Sequence, residues 1–128
     1  MVDFLQSRVK AFKYAFSGLW TVLRTQRNAW IHSIFSLAVI IMAFWLQLPA
    51  NDWAILILTI ALVWGAEIIN TSIETTINLA SPEQHPLAKD GKDLGAAAVL
   101  VAALASVIIG LLVLGPPLWN RLVQLFSH

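Results

Sequence analysis

Three apolar runs of near-spanning length constrain this chain more than any other feature. The first extends from about Ala29 to Leu48, the second is apolar from about Trp53 through Ile69 and continues polar to about residue 79, and the third runs from about Leu94 to Leu114. A helix needs roughly 20 apolar residues to cross about 30 Å of hydrocarbon. Lipid offers no partner for backbone N–H and C=O groups, so a spanning segment of this kind is helical. Charged residues make up only 12% of the 128, against 59% hydrophobic, whereas a soluble domain carries about a quarter charged. The length suits one domain over residues 1–128. Absence of cysteine excludes disulfides, thiol catalysis and thiolate metal sites. Neither a basic tract nor a strong net charge points to nucleic acid.

The segment before the first run has a different pattern. Leu5, Val9, Phe12, Phe16, Leu19 and Leu23 recur at steps of three and four, and Gln6, Lys10, Lys13, Ser17 and Arg24 fall on the opposite arc. This predicts an amphipathic helix over about 3–24, lying in the membrane interface rather than in a soluble core. Leu48-Pro49-Ala50-Asn51-Asp52 predicts a tight turn, residues 80–93 a polar loop, and Gly115-Pro116-Pro117 the stop of the last helix.

Orientation follows from the basic residues. Arg8, Lys10, Lys13, Arg24 and Arg27 precede the first span and Lys89 and Lys92 lie between the second and third, so seven of the eight share one side and only Arg121 falls on the other. The positive-inside rule makes that side cytoplasmic, with the N-terminus inside a bacterial plasma (inner) membrane and Trp45, Trp53 and Trp119 near the outer interface.

The second run carries the chemistry. Glu67, Asn70, Thr71, Glu74 and Asn78 fall within roughly 100° of helical arc. Asn and Thr alone would suit interhelical packing. Two glutamates on one membrane stripe cost about 2.5–3.5 kcal/mol each to insert and mark a functional site. With Trp53 at the outer interface, Glu67 lies about 21 Å and Glu74 about 31 Å along the helix. A lipid hydroxyl would sit near the first level and a water-soluble phosphate donor near the second. The following loop offers His85, Lys89, Asp90, Lys92 and Asp93; such charges often merely flank a span, but beside the glutamate stripe they suit phosphate and cation binding. No Walker-type phosphate loop is present. Small residues Gly95 to Ala98, with Ala102, Ala103 and Ala105, allow close helix approach. Three helices cannot easily enclose the acidic stripe, so association of protomers is expected.

Glu67-Ile-Ile-Asn70-Thr-Ser-Ile-Glu74, His85-Pro-Leu-Ala-Lys89-Asp-Gly-Lys92-Asp93 and Ala96-Ala-Ala-Val-Leu100 resemble the prokaryotic diacylglycerol kinase family, which includes the undecaprenol kinases. Phe12 to Leu19, and Arg27-Asn28 with His32, resemble it too. The resemblance implies an all-α membrane fold, a homotrimer of three-span protomers each with a surface helix, and phosphoryl transfer from MgATP to a lipid alcohol, diacylglycerol or undecaprenol, at sites shared between protomers. It implies Glu67 as general base with Asn70 in the same polar cluster, and Glu74 as metal ligand. It places Lys10, Tyr14, Glu83, Gln84, His85, Lys92 and Asp93 near the nucleotide. His85-Pro86-Leu87 and the Lys89 to Asp93 spacing lean toward undecaprenol. Two positions depart from the family pattern: Gln26 stands where a metal-assisting glutamate is usual, and Asn78 where aspartate is frequent. An amide is a weaker ligand than a carboxylate for a hard cation. A small proton-coupled transporter and a catalytically degenerate kinase homologue are the alternative functions.

Overall fold

The computed structural model describes residues 2–81, 83 and 85–127. It is all-helical: α1 (Val2–Thr25), α2 (Arg27–Trp45), α3 (Ala50–Ala80) and α4 (Pro86–Phe126). Among the described residues, α2, α3 and α4 are long and apolar enough to cross a membrane. Large apolar side chains such as Phe35, Leu58, Leu111 and Leu112 are exposed on their outer faces, as expected of helices whose solvent is hydrocarbon. The expected membrane class and three-span count therefore stand, with boundaries shifted where local chemistry is strong.

The first shift is at the α2–α3 turn. Helix α2 ends at Trp45 and α3 starts at Ala50, so the turn overlaps the expected Leu48-to-Asp52 stretch but begins two residues earlier, and Ala50 to Asp52 are already helical. Gln47 takes φ 55°, and Leu48 N–H donates to the Ala43 carbonyl at 3.2 Å. A left-handed residue followed by a 6→1 hydrogen bond is a Schellman closure, which satisfies carbonyls the helix end would leave open. Pro49, extended at ψ 161°, then caps α3.

The expected 80–93 polar loop is corrected to a short link. Pro86 occupies the first turn of α4, and Leu87 N–H donates to His85 Nδ1 at 3.2 Å. Proline has no N–H to leave unsatisfied at a helix start and its φ is already helical, so the helix begins before the charges rather than after them. Residues 86–93 are therefore helical.

The expected stop at Gly115-Pro116-Pro117 is also wrong. Both prolines lie inside α4, which continues to Phe126. Pro116 and Pro117 lack the N–H groups that would reach the carbonyls of Leu112 and Val113, yet their fixed φ is compatible with helix. Packing holds the direction: Leu114 is buried with Ala43, Leu48 and Leu56, flanked by Met42, Trp53 and Val113. Phe44 and Trp53 meet edge to face across the turn, 4.6 Å between centroids.

Helices α3 and α4 form the principal pair; α2 packs on both, and α1 touches α2 and α3. The apolar cluster at the α2–α3 turn pins one end of this bundle. The other end is polar and is built differently.

Candidate active site

The face of α3 turned toward its neighbours reads Leu56, Thr59, Val63, Glu67, Asn70 and Thr71. These recur at intervals of three and four, so one stripe changes from apolar to acidic as the helix leaves the core. Glu67 is 1% exposed and is the largest fully buried side chain. Thr71 donates its hydroxyl to the Glu67 carbonyl at 2.9 Å, which leaves the Glu67 carboxylate free. Neither of its oxygens has a hydrogen-bond partner among the described residues. A buried polar group without a partner costs free energy and calls for an explanation.

One turn on, Asn70 Nδ2 donates to Glu74 Oε1 at 3.2 Å, while Asn70 Oδ1 is buried without a partner. Glu74, Asn70, Gln26, Asn28 and His32 line one open cleft of about 300 Å³. Gln26 is the residue between α1 and α2; its backbone is extended and its side chain makes no capping bond, so its amide remains available to the cleft. The structure thus brings Gln26 and Glu74 onto the same cleft from distant parts of the sequence.

A larger cleft, about 830 Å³, opens beyond the polar end of α3. Asn78, Glu83, His85, Lys89, Lys92 and Asp93 border it. Lys89 pairs with Asp93 one turn away, an exposed ion pair that contributes little to stability. Lys92 has no carboxylate partner among the described residues and is the basic group left for an anion there. From Glu67 to Asn78 the helix rises about 16 Å, so the buried carboxylate and the basic cleft lie along one helix edge.

Gln84, also expected near a nucleotide, lies outside the described residues. Lys10 and Tyr14 sit on the exposed surface of α1 and line neither cleft.

The residue that sequence reasoning did not place in the site is His32. Its Nε2 lies 3.8 Å from Glu67 Oε2 and is buried without a hydrogen-bond partner. Two signals were available, its place beside Arg27-Asn28 in the family resemblance and an imidazole in a largely apolar span, but neither assigns a role, and periodicity cannot distinguish it from a packed core histidine.

The small residues of α4 have a visible reason. A Cβ added at Gly95 would collide with Asn70 Oδ1, so the polar stripe requires a bare backbone opposite it. An apolar groove of about 760 Å³ runs alongside, between α3 and α4, past Ala66, Ile69, Ala98 and Val101.

A family model described as prokaryotic diacylglycerol kinase matches residues 13–114. The chain belongs to the prokaryotic diacylglycerol kinase family. It is 42% identical over 109 residues to the undecaprenol kinase of Bacillus subtilis, covering 85% of this chain and 89% of that protein. It is 43% identical over 114 residues to a diacylglycerol kinase of Synechocystis, covering 88% of this chain and 65% of that protein. With the diacylglycerol kinase of Escherichia coli it shares 34% identity over 107 residues, 78% of this chain and 82% of that protein. Each name denotes a lipid kinase, the class of enzyme to which the acidic stripe and the basic edge pointed. For a member of the prokaryotic diacylglycerol kinase family, both clefts and the buried carboxylate fall inside the matched span.

Proposed function

We propose that the protein transfers the γ-phosphoryl group of ATP directly to the hydroxyl of a membrane lipid alcohol, diacylglycerol or undecaprenol, at the cytoplasmic face of the bacterial plasma membrane. The observation that carries this reading is the buried, unpartnered carboxylate of Glu67, set on the same helix edge as a cleft bordered by Lys92. Glu67 is sealed in the single chain, so in this proposal the helices around it part to admit the lipid hydroxyl, while a nucleotide reaches the second from water.

In this scheme the lipid oxygen attacks the γ-phosphorus and Glu67 accepts its proton. The new oxygen–phosphorus bond forms as the bond to the β,γ-bridging oxygen breaks, and ADP leaves with that electron pair. Asn70 holds Glu74 through its 3.2 Å hydrogen bond. Lys92 offsets charge on the phosphates from the basic cleft, with Glu83, His85 and Asp93 of the same cleft around the nucleotide. Phosphoryl transfer depends mostly on such positioning and electrostatics.

The donor set suits magnesium. Glu74 supplies one carboxylate and Gln26 one amide oxygen on the same cleft. With one carboxylate and one amide from the chain, such an ion would keep its waters and take most remaining ligands from phosphates. Bound there, magnesium would neutralise charge on the phosphoryl oxygens.

The assembly is proposed to be a homotrimer with α1 along the cytoplasmic membrane surface. The exposed positions of Lys10 and Tyr14 and the unfilled α3–α4 groove support a site completed by a neighbouring protomer. The test is a competition assay: protein in lipid vesicles, labelled ATP, and equal amounts of diacylglycerol and undecaprenol. One or both lipids should acquire label. Folded protein that labels neither would overturn the proposal.

A further inference from the structure

We infer that His32 is a positioning residue for Glu67, holding one carboxylate oxygen so that the other faces the substrate hydroxyl. The inference rests on the base role proposed for Glu67. His32 comes from α2 and Glu67 from α3, so only the tertiary fold joins them. Their nearest polar atoms are 3.8 Å apart. Both atoms are buried, and neither has another hydrogen-bond partner among the described residues. The separation exceeds the upper end of the N–H···O hydrogen-bond range by about 0.6 Å. Catalytic contacts of this kind are commonly long without substrate and tighten in the reactive complex.

The chemistry of the pair is asymmetric in a useful way. An imidazole N–H that closed on Oε2 in the reactive complex would satisfy that oxygen and restrict rotation of the carboxylate. Oε1 is left as the acceptor for a proton. His32 also borders both the cleft that contains Asn70 and Glu74 and a smaller cavity of about 80 Å³ with Ser36, Thr59 and Ser106. The imidazole therefore stands as a partition between the reaction cleft and the interior of the bundle. Ser106 and Thr59 donate their hydroxyls to backbone carbonyls of their own helices, so neither hydroxyl hydrogen competes for Glu67.

The test uses full-length protein in lipid vesicles and three variants. His32→Leu keeps bulk and removes the donor; His32→Gln places an amide N–H near the position of Nε2; Glu67→Gln removes the base. His32→Leu should lower kcat by up to roughly 100-fold, the cost of misplacing a reacting group by about an ångström, with KM for ATP and for lipid within about twofold. His32→Gln should recover a large part of that loss. Adding His32→Leu to Glu67→Gln should cause little further loss, because residues acting as a unit are not additive. Near-normal kcat in His32→Leu, beside an inactive Glu67→Gln, would overturn the positioning role alone. Equal losses in His32→Leu and His32→Gln with matching falls in thermal stability would show a packing role and overturn it as well. High turnover in Glu67→Gln would remove the base role and this inference together.

Discussion

Glu67 and Glu74 are seven residues apart on one helix, yet their surroundings differ. Glu67 is sealed by the bundle, whereas Glu74 reaches an open cleft and takes a hydrogen bond from Asn70. That difference supports separate roles as base and metal ligand. Glu67→Gln should fold and lose roughly 100- to 10,000-fold in kcat, the usual contribution of a general base, measured by lipid phosphorylation with KM for ATP little changed. Gln26 shares the cleft of Glu74, so Gln26→Glu would add a second carboxylate there. The magnesium concentration for half-maximal activity should then fall roughly tenfold, about 1.4 kcal/mol of added attraction, within the range for charges near 4 Å at a protein surface. An unchanged magnesium dependence would place Gln26 outside the metal's reach.

Individual helices carry their own constraints. Helix α4 faces the polar stripe through Gly95, where any side chain would meet Asn70. Gly95→Ala should displace that amide, cost about 1–3 kcal/mol of stability through overpacking, and reduce kcat about 100-fold if the carboxylates shift by an ångström. Thermal unfolding in detergent and steady-state assays would check both. At the opposite end of the bundle, Gln47 is held at φ 55°, a conformation glycine adopts without steric penalty. Gln47→Gly should leave activity unchanged and raise stability by about 0.5–1 kcal/mol, the left-handed penalty relieved less the entropy glycine adds to the unfolded chain, seen as a higher unfolding temperature; a lower one would show that the Gln47 side chain contributes contacts beyond this turn.

The molecule as a whole divides into an apolar end, where Ala43, Leu48, Leu56 and Leu114 pack, and a polar end that is only partly enclosed. A single chain leaves Lys10 and Tyr14 away from the clefts and the α3–α4 groove unfilled. Mixed assemblies test whether neighbours complete the site. Inactive Glu67→Gln protomers mixed with inactive Tyr14→Ala protomers should regain activity if base and nucleotide contacts come from different chains. No recovery, with mixed assembly verified by two affinity tags, would place each site within one chain.

Much of this protein was legible in residue order. A span must be about 20 apolar residues long, so the three membrane-length helices were readable as runs, and the acidic stripe was readable because helical periodicity puts residues 67, 70, 74 and 78 on one edge. The boundary errors came from local chemistry: His85 and Pro86 start a helix inside an apparently polar loop, and buried Leu114 carries α4 across two prolines expected to end it. Only the tertiary structure decided that His32 meets Glu67, that Gln26 shares a cleft with Glu74, and that Gly95 makes room for Asn70. Periodicity describes one helix at a time. Contacts between helices depend on rotation about each axis and on depth of packing, which are set when the whole bundle closes.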